Sequence, residues 1–476
     1  MRNNLITTLV SIFFLALSFS SIAKIRLPNV LASNMVIQQK SEMELWGWAA
    51  PGEKVIVTTS WNDKKDSVTT TGNANWRIKI STPSAGGPFT ITFKGQNTIT
   101  LENIMVGEVW VCSGQSNMEW SSDQNLKQII DELPKSDNPN IRLFHIPKRT
   151  STNPQDNCEG EWKVCGPESL KGFSAVGYFF GKKLQQQLNV PIGLINSSWG
   201  GTPAETWTPV EVVVSEPNLK LASEKLRPAA WWPVSNGYAY NAMIAPITNF
   251  PIAGAIWYQG EANVGTASTY EKLLTSMIDS WRKAWKKEFP FYLVQIAPFD
   301  YGNSSSSSFL REQQSKAQKH PRTGMIVVTD LVDNVKDIHP TNKLDVGLRL
   351  ANLALGENYK QPGIVYKYPT YRSIEIKNGM AILSFDNVPN GFTLKGTEPM
   401  EFWIAGEDKV FKPAKANVAK DKIAVWNDSI KDPKAVRFGF YNTSMPNVFS
   451  KEGLPLDPFR TDDWQVDIVI DPSMRR

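Results

Sequence analysis

The stretch VWVCSGQSNMEW, residues 109–120, joins an apolar, β-branched run to an abrupt turn of small polar residues. The run predicts a buried strand, and glycine, serine and asparagine are common turn residues after a strand. A serine at the carboxyl end of a parallel strand, where a helix begins, also lies where open α/β sheets bind their ligands. This stretch alone leaves two interpretations of Ser116 open, a turn residue and a functional hydroxyl.

Strands and amphipathic helices alternate on either side of this stretch. SAVGYFFGKKLQQQLN, residues 174–189, has helical spacing and stops before Pro191, and the apolar IGLINSSW follows as a strand. Further helices are predicted near 122–133, over 269–287 and over 341–356. This alternation predicts an α/β fold, a three-layer α/β/α domain around a parallel sheet, over residues 106–360.

The two flanks of that domain are predicted to be β-rich. Residues 24–105 contain short β runs such as KVIVTTSW and WRIKI between turn clusters such as APGE and TGNAN, which indicates a sandwich-like domain. Residues 361–476 return to strands after the last helix. NSSSSS, residues 303–308, is interpreted as a solvated loop.

The first 23 residues have the pattern of a secretory signal peptide. Arg2 precedes the apolar run LITTLVSIFFLAL, and Ser21-Ile22-Ala23 forms a small-x-small cleavage site. We therefore expect export, to the periplasm or out of the cell. No later stretch is long and apolar enough for a bilayer, so no membrane span is expected after cleavage.

The composition does not favour nucleic acid as a partner. The chain has 476 residues, a net charge of +5 and no basic stripe with interleaved aromatics, so nucleic acid is not an expected partner.

Cys158 and Cys165 could form a disulfide in an oxidising compartment, and Cys112 is expected to be a buried thiol. There are three histidines and none is near this pair, so a metal site is not expected. Composition does not predict the oligomeric state.

Four predicted strands end in small or polar groups: SGQSN (113–117), NSSWGGTPAE (196–205), WYQGEAN (257–263) and TDLVDNVKDIHP (329–340). A serine nucleophile needs an adjacent base, most often histidine. His145 lies within a predicted strand, and His320 follows a charged helix. His339 follows a strand and a polar loop, with Asp337 two residues earlier, and is the favoured base.

The same strand ends offer hydrogen-bond donors. Gly200 and Gly201 could bring backbone N–H groups close to a substrate, although on their own they are better explained by a tight turn. Gln259 and Asn263 carry side-chain amides. Glu261, between them, is interpreted either as an acid partner or as a helix-start residue.

In this order, GQSNM, GGTPAE, QGEAN and DIHP resemble the motifs of the SGNH (GDSL-like) hydrolases, in particular their carbohydrate acetylesterases. The likeness is greatest to bacterial secreted sialate O-acetylesterases, and the tail GLPLDPFRTDDW, residues 453–464, is similar to theirs. The resemblance implies an SGNH-type catalytic domain. It also implies a serine esterase that removes O-acetyl groups from carbohydrate through an acetyl-serine intermediate, without a cofactor.

Residue by residue, the resemblance implies that Ser116 is the nucleophile and His339 the base, and that the N–H groups of Ser116 and Gly200 line the oxyanion hole. The family's third donor is an asparagine. Here Gln259 is the favoured substitute, with Asn263 second.

The acid departs from the family pattern. The family spacing places it three residues before the histidine, where this chain has Lys336. The acid is therefore either Asp337, which we favour, or Glu261.

The resemblance favours a 9-O-acetylated sialic acid as substrate, and an acetylxylan esterase is the alternative within the class. A sialic acid carries a carboxylate, for which Arg349 and Arg311 are candidate cations. Trp231 and Trp232, in PAAWWPVSNG, are interpreted as residues that flank the pocket or as ordinary loop residues. The alternative from another class is a non-catalytic carbohydrate-binding protein.

Overall fold

The computed structural model describes residues 24–302 and 305–468, so the predicted signal segment 1–23 lies outside the described residues. The strands in chain order are β1 (Val36–Gln38), β2 (Glu42–Trp48), β3 (Lys54–Thr59), β4 (Lys65–Thr69), β5 (Asn75–Ser81), β6 (Gly86–Lys94), β7 (Thr98–Gly114), β8 (Asn138–His145), β9 (Trp162–Cys165), β10 (Ile192–Ser198), β11 (Gly254–Tyr258), β12 (Phe291–Val294), β13 (Thr323–Ile326), β14 (Thr370–Lys377), β15 (Met380–Asp386), β16 (Phe392–Leu394), β17 (Phe402–Ala405), β18 (Lys412–Pro413), β19 (Lys415–Val418), β20 (Lys422–Trp426), β21 (Ala435–Phe438), β22 (Val448–Ser450) and β23 (Phe459–Arg460). The α-helices are α1 (Ser116–Glu119), α2 (Lys127–Ile130), α3 (Pro167–Lys171), α4 (Ala175–Leu188), α5 (Val210–Ser215), α6 (Pro217–Ser223), α7 (Tyr270–Trp285), α8 (Ser306–Ala317) and α9 (Lys343–Glu357).

The centre of the fold is a sheet with the strand order β13-β12-β11-β7-β10-β8-β9. Neighbouring strands are parallel from β13 to β8, and β9 is antiparallel to β8. Successive side chains of a strand point to opposite faces of the sheet, and these strands carry apolar side chains on both faces. Helices therefore cover the sheet on both sides. Trp110 of β7 packs on Phe180 of α4, whereas Trp257 of β11 packs on Trp281 of α7. The predicted three-layer α/β/α domain is confirmed.

β7 connects the central sheet to the amino-terminal β region. Its first half pairs with β1 and β6, and its second half pairs with β10 and β11. The domain boundary predicted after residue 105 therefore falls inside one strand of 17 residues. The carboxyl-terminal region has its own apolar core between two four-stranded sheets. The exact domain limits stay a prediction.

Three local expectations differ from the structure. In place of the single helix predicted near 122–133, the structure has three short helical segments, Ser122–Gln124, Lys127–Ile130 and Leu133–Lys135. The predicted serine loop is in part the buried start of α8, where the Ser307 N–H donates to Asn442 Oδ1 at 3.0 Å. Cys158 and Cys165 are buried free thiols, so the disulfide that the sequence allows does not form.

Across the parts of the chain with described coordinates, no helix combines the length and apolar character needed to cross a bilayer.

Candidate active site

The nucleophile turn begins where β7 ends at Gly114. Gly114 has a φ of +135°, and a Cβ there would lie 2.3 Å from the Tyr258 carbonyl oxygen, so the position requires glycine. The next residue, Gln115, donates its backbone N–H to the same Tyr258 carbonyl at 3.0 Å. These contacts place Ser116 at the start of α1, at the carboxyl edge of the sheet.

The structure brings Ser116 and His339 together although 223 positions separate them. His339 Nε2 lies 2.9 Å from Ser116 Oγ, which is hydrogen-bond distance for proton transfer from the hydroxyl. The other two histidines lie elsewhere. His145 is the exposed last residue of β8, and His320 contacts Asp279 at 2.7 Å.

Of the two proposed acids, Asp337 is the one beside the imidazole. Asp337 Oδ1 is 3.6 Å from His339 Nδ1 and accepts the His339 backbone N–H at 2.9 Å. The 3.6 Å separation is longer than a hydrogen bond, so Asp337 acts on the ring mainly through its charge. Glu261 Oε1 instead accepts from Asn117 Nδ2 at 2.7 Å.

The environment of His339 favours the neutral imidazole. The pKa of His339 is lowered to about 4, mainly by burial and also by the Lys343 ammonium, while the Asp337 carboxylate opposes both. A neutral imidazole at neutral pH can accept a proton, as a general base must. One face of the ring is covered by the Trp120 indole.

The backbone donors expected for an oxyanion are differently arranged. Among the described residues the Ser116 N–H has no hydrogen-bond acceptor, so it is free for a substrate oxygen. The Gly200 N–H donates to Glu119 Oε2 at 2.5 Å, and Glu119 Oε1 is 2.5 Å from Lys148 Nζ. Gly200 can therefore serve as a donor only after the Glu119 carboxylate withdraws.

The side-chain donors predicted at the third strand end are not available. Gln259 Nε2 already donates to the Thr202 carbonyl at 3.1 Å and to Asn263 Oδ1 at 2.8 Å. Asn263 Nδ2 donates to Glu205 Oε2 and to Thr266 Oγ1. An amide has two N–H groups, so neither residue has one left for a substrate. The expectation that Gln259 or Asn263 donates to the oxyanion is wrong for this arrangement.

Ser116 and His339 open into a cleft of about 710 Å³. Trp232 lines this cleft and packs on Gly201, where a Cβ would lie 2.3 Å from the indole. Trp231 is 80% exposed, and its carbonyl accepts from Trp199 Nε1. Only Trp232 of the predicted pair therefore lies against the cleft.

The two arginines considered for a substrate carboxylate are engaged elsewhere. Arg349 makes a bidentate contact with Asp330, both distances being 2.7 Å, and the buried Arg311 donates to Ser308 Oγ and to the Tyr441 carbonyl. Lys148 and Arg227 are the cationic side chains that line the cleft instead.

Sequence reasoning missed Asn117, Glu119, Trp120 and Lys343. Asn117, Glu119 and Trp120 follow Ser116 by one, three and four residues, and the sequence does not show where the side chains of this turn point. Lys343 had no signal, since a lysine at a helix start is usually solvated.

Three comparisons with known proteins point to one family. Residues 106–356 match the family model described as carbohydrate esterase, sialic acid-specific acetylesterase. The chain is 27% identical to the sialate O-acetylesterase of Mus musculus over 426 residues, covering 76% of this chain and 79% of that protein. It is 28% identical to the Homo sapiens enzyme over 394 residues, covering 74% of each.

A solved structure of a carbohydrate acetylesterase from Xanthomonas citri is also similar. It is 34% identical, covers 92% of this chain and 100% of its own, and superimposes with a TM-score of 0.85. The expected family resemblance is confirmed. The chain therefore belongs to the family of sialic acid-specific carbohydrate acetylesterases and is a carboxylic ester hydrolase.

Proposed function

We propose that this protein removes O-acetyl groups from sialic acids, with Ser116 as nucleophile and His339 as general base. The observation that carries the proposal is the 2.9 Å contact between Ser116 Oγ and His339 Nε2 at the cleft. Asp337, within 3.6 Å of the other ring nitrogen, stabilises the imidazolium that forms.

The reaction has two steps. His339 takes the Ser116 proton as Oγ attacks the acetyl carbonyl carbon, and the carbonyl oxygen becomes an oxyanion. The Ser116 N–H holds that oxygen, and the Gly200 N–H joins it once Glu119 has moved. The imidazolium then gives its proton to the departing sugar oxygen. Water, deprotonated by His339, attacks the acetyl-serine, releases acetate and restores the hydroxyl.

Charge favours a sialic acid over a neutral sugar. Of the two cations that line the cleft, Lys148 is already paired with Glu119, so Arg227 is the side chain that would meet a sialic acid carboxylate. The family model and the curated relatives carry the same substrate in their descriptions. An acetylated xylan has no carboxylate and gains nothing from these side chains.

The test is acetate release, measured side by side from 9-O-acetylated sialic acid and acetylated xylan. We expect faster release from the sialic acid, and none with Ser116→Ala from either. Faster release from xylan would favour the acetylxylan esterase, and release retained by Ser116→Ala would remove Ser116 from its role. No release from any ester, including 4-nitrophenyl acetate, would favour a carbohydrate-binding protein.

We also infer export to the periplasm or the medium, on the sequence pattern of residues 1–23. Sequencing the amino terminus of protein recovered from those fractions tests it. The expected first residue is near Lys24, and an uncleaved cytoplasmic chain would contradict export.

A further inference from the structure

Lys343 is a buried cation in an unfavourable place. It is the first residue of α9 and only 1% exposed. Desolvation of an ammonium costs free energy, and the positive end of a helix dipole repels a cation. Two aromatic rings, Trp120 and Tyr258, face its Nζ at 5.7 and 5.8 Å and compensate part of this cost. Stability alone does not explain a lysine here.

The hydrogen-bond partner of Lys343 is the residue after the nucleophile. Lys343 Nζ donates to Asn117 Oδ1 at 2.6 Å. The Asn117 amide nitrogen donates to the Ile338 carbonyl at 3.1 Å and to Glu261 Oε1 at 2.7 Å. Asn117 therefore bridges the turn that carries Ser116 and the loop that carries His339.

Lys343 determines which way this amide points. With an ammonium donating to Oδ1, only the orientation with the nitrogen toward Ile338 and Glu261 satisfies every group. Without the ammonium, the amide can rotate and the bridge between the two catalytic segments is lost.

We propose that Lys343 is a positioning residue for Ser116 and His339, acting through Asn117 to hold the nucleophile turn and the histidine loop at their reactive separation. This role rests on the proposed esterase mechanism. It concerns how precisely the two groups are held, and it adds no group that touches the substrate.

The charge of Lys343 has a second effect on the same site. Burial lowers the pKa of Lys343 to about 7, and the charges of Glu261, Asp337 and Asp333 oppose this shift. Asp337 and Lys343 act on the pKa of His339 in opposite directions. Removing the ammonium removes a cause of the lowered His339 pKa. The acid limb of the pH–rate profile should then move to higher pH.

The experiment compares Lys343→Met, which removes the charge and the donor, with Lys343→Arg, which keeps both. Active sites are counted with a fluorophosphonate, and kcat and KM for 4-nitrophenyl acetate are expressed per site. For Lys343→Met we expect kcat to fall roughly 10- to 100-fold with little change in KM, because misplacement affects the reacting atoms. The acid limb should shift upward, and Lys343→Arg should recover part of both.

Lys287→Met is the matched control. Lys287 is exposed overall, but its ammonium donates in a partly buried hydrogen bond to the Ile252 carbonyl at 2.7 Å, away from the cleft residues. We expect this variant to lower the melting temperature and leave kcat per site unchanged. If Lys343→Met also kept the kcat per site and the pH profile of the wild type, the positioning role would be overturned.

Asn117→Asp gives a second route if Lys343→Met does not fold. Asp has the same shape but cannot donate to Ile338 or Glu261, so we expect the same fall in kcat per site. If Lys343 acts through Asn117 and Lys343→Met folds, combining the two substitutions Asn117→Asp and Lys343→Met should be no worse than Asn117→Asp alone. Effects that multiply would contradict the coupling. An active wild type that loses all activity in Ser116→Ala keeps the esterase proposal intact whichever result is found.

Discussion

The Trp120 indole lies against the His339 imidazole, with ring centroids 4.0 Å apart and ring planes inclined by 23°. Trp120 is four residues after Ser116, so the nucleophile turn supplies the surface on which the base rests. The stack limits rotation of the imidazole while Nε2 contacts the hydroxyl.

Replacing Trp120 should therefore weaken the base without removing it. An aromatic pair contributes about 0.5–1.5 kcal/mol beyond its buried area, so Trp120→Leu should lower kcat roughly 3- to 10-fold. Trp120→Phe keeps a ring and should lose less. The check is kcat per titrated site for both variants. If the kcat of Trp120→Leu equals that of the wild type, the stack has no role in catalysis.

The pH dependence should reflect the unusual acidity of the imidazolium. Because the pKa of His339 is lowered to about 4, we expect kcat/KM to rise through about pH 4 and to stay constant until Lys343, whose pKa burial lowers to about 7, loses its charge. An ordinary histidine would place this limb near pH 6.5. The profile with 4-nitrophenyl acetate tests this, and His320→Gln should not change it. A limb near 6.5 would contradict the buried, neutral imidazole.

The same pKa predicts a direction for stability. The unfolded chain binds a proton at His339 below about pH 6.5, whereas the folded protein does so only below about 4. The unfolded state therefore binds more protons between these values. The stabilisation from a neutral His339 is fully present above about 6.5 and is lost as the pH falls toward 4.

Glu119 is expected to oppose substrate binding in the free enzyme. Its carboxylate occupies the Gly200 N–H, so a substrate oxygen must displace it. Glu119→Ala should lower the KM for 4-nitrophenyl acetate roughly 3- to 10-fold without lowering kcat, since a charged hydrogen bond no longer has to be broken. Glu119→Gln keeps an acceptor oxygen, so its KM should lie between the values of the wild type and Glu119→Ala. A loss of kcat in Glu119→Ala would instead give Glu119 a direct part in the reaction.

Gln259 should behave as a structural residue. Its side chain accepts from Tyr270 Oη at 2.8 Å as well as donating to Thr202 and Asn263. Gln259→Ala leaves these buried groups unpaired, which costs about 1–3 kcal/mol of folding free energy. We expect a lower melting temperature and kcat per site within a few-fold of wild type. A fall of about 10²- to 10³-fold per site, typical of an oxyanion donor, would restore Gln259 to that role.

Much of this architecture follows from local patterns in the chain. Apolar runs such as residues 192–199 alternate with amphipathic segments such as 174–189, and that alternation allows few folds other than a covered parallel sheet. Because parallel strands end at one edge, Ser116 and His339 could be assigned to a common site from their positions after strands.

The hydrogen-bond partners of the site could not be predicted in the same way. Gln259 loses its donors to Thr202, a residue from a different strand end, and Gly200 loses its N–H to Glu119. Each of these pairings depends on side-chain directions set by tertiary packing. Lys343 is the clearest case, because its burial results from the meeting of α9 with the nucleophile turn.

The most direct measurement is the mass of the peptide that contains Ser116, taken after rapid acid quench during turnover of 4-nitrophenyl acetate. The proposed mechanism predicts one added acetyl group on Ser116, lost with time as the ester hydrolyses, and none in Ser116→Ala. An unmodified Ser116 throughout turnover, together with acetate release by Ser116→Ala at the wild-type rate, would contradict it.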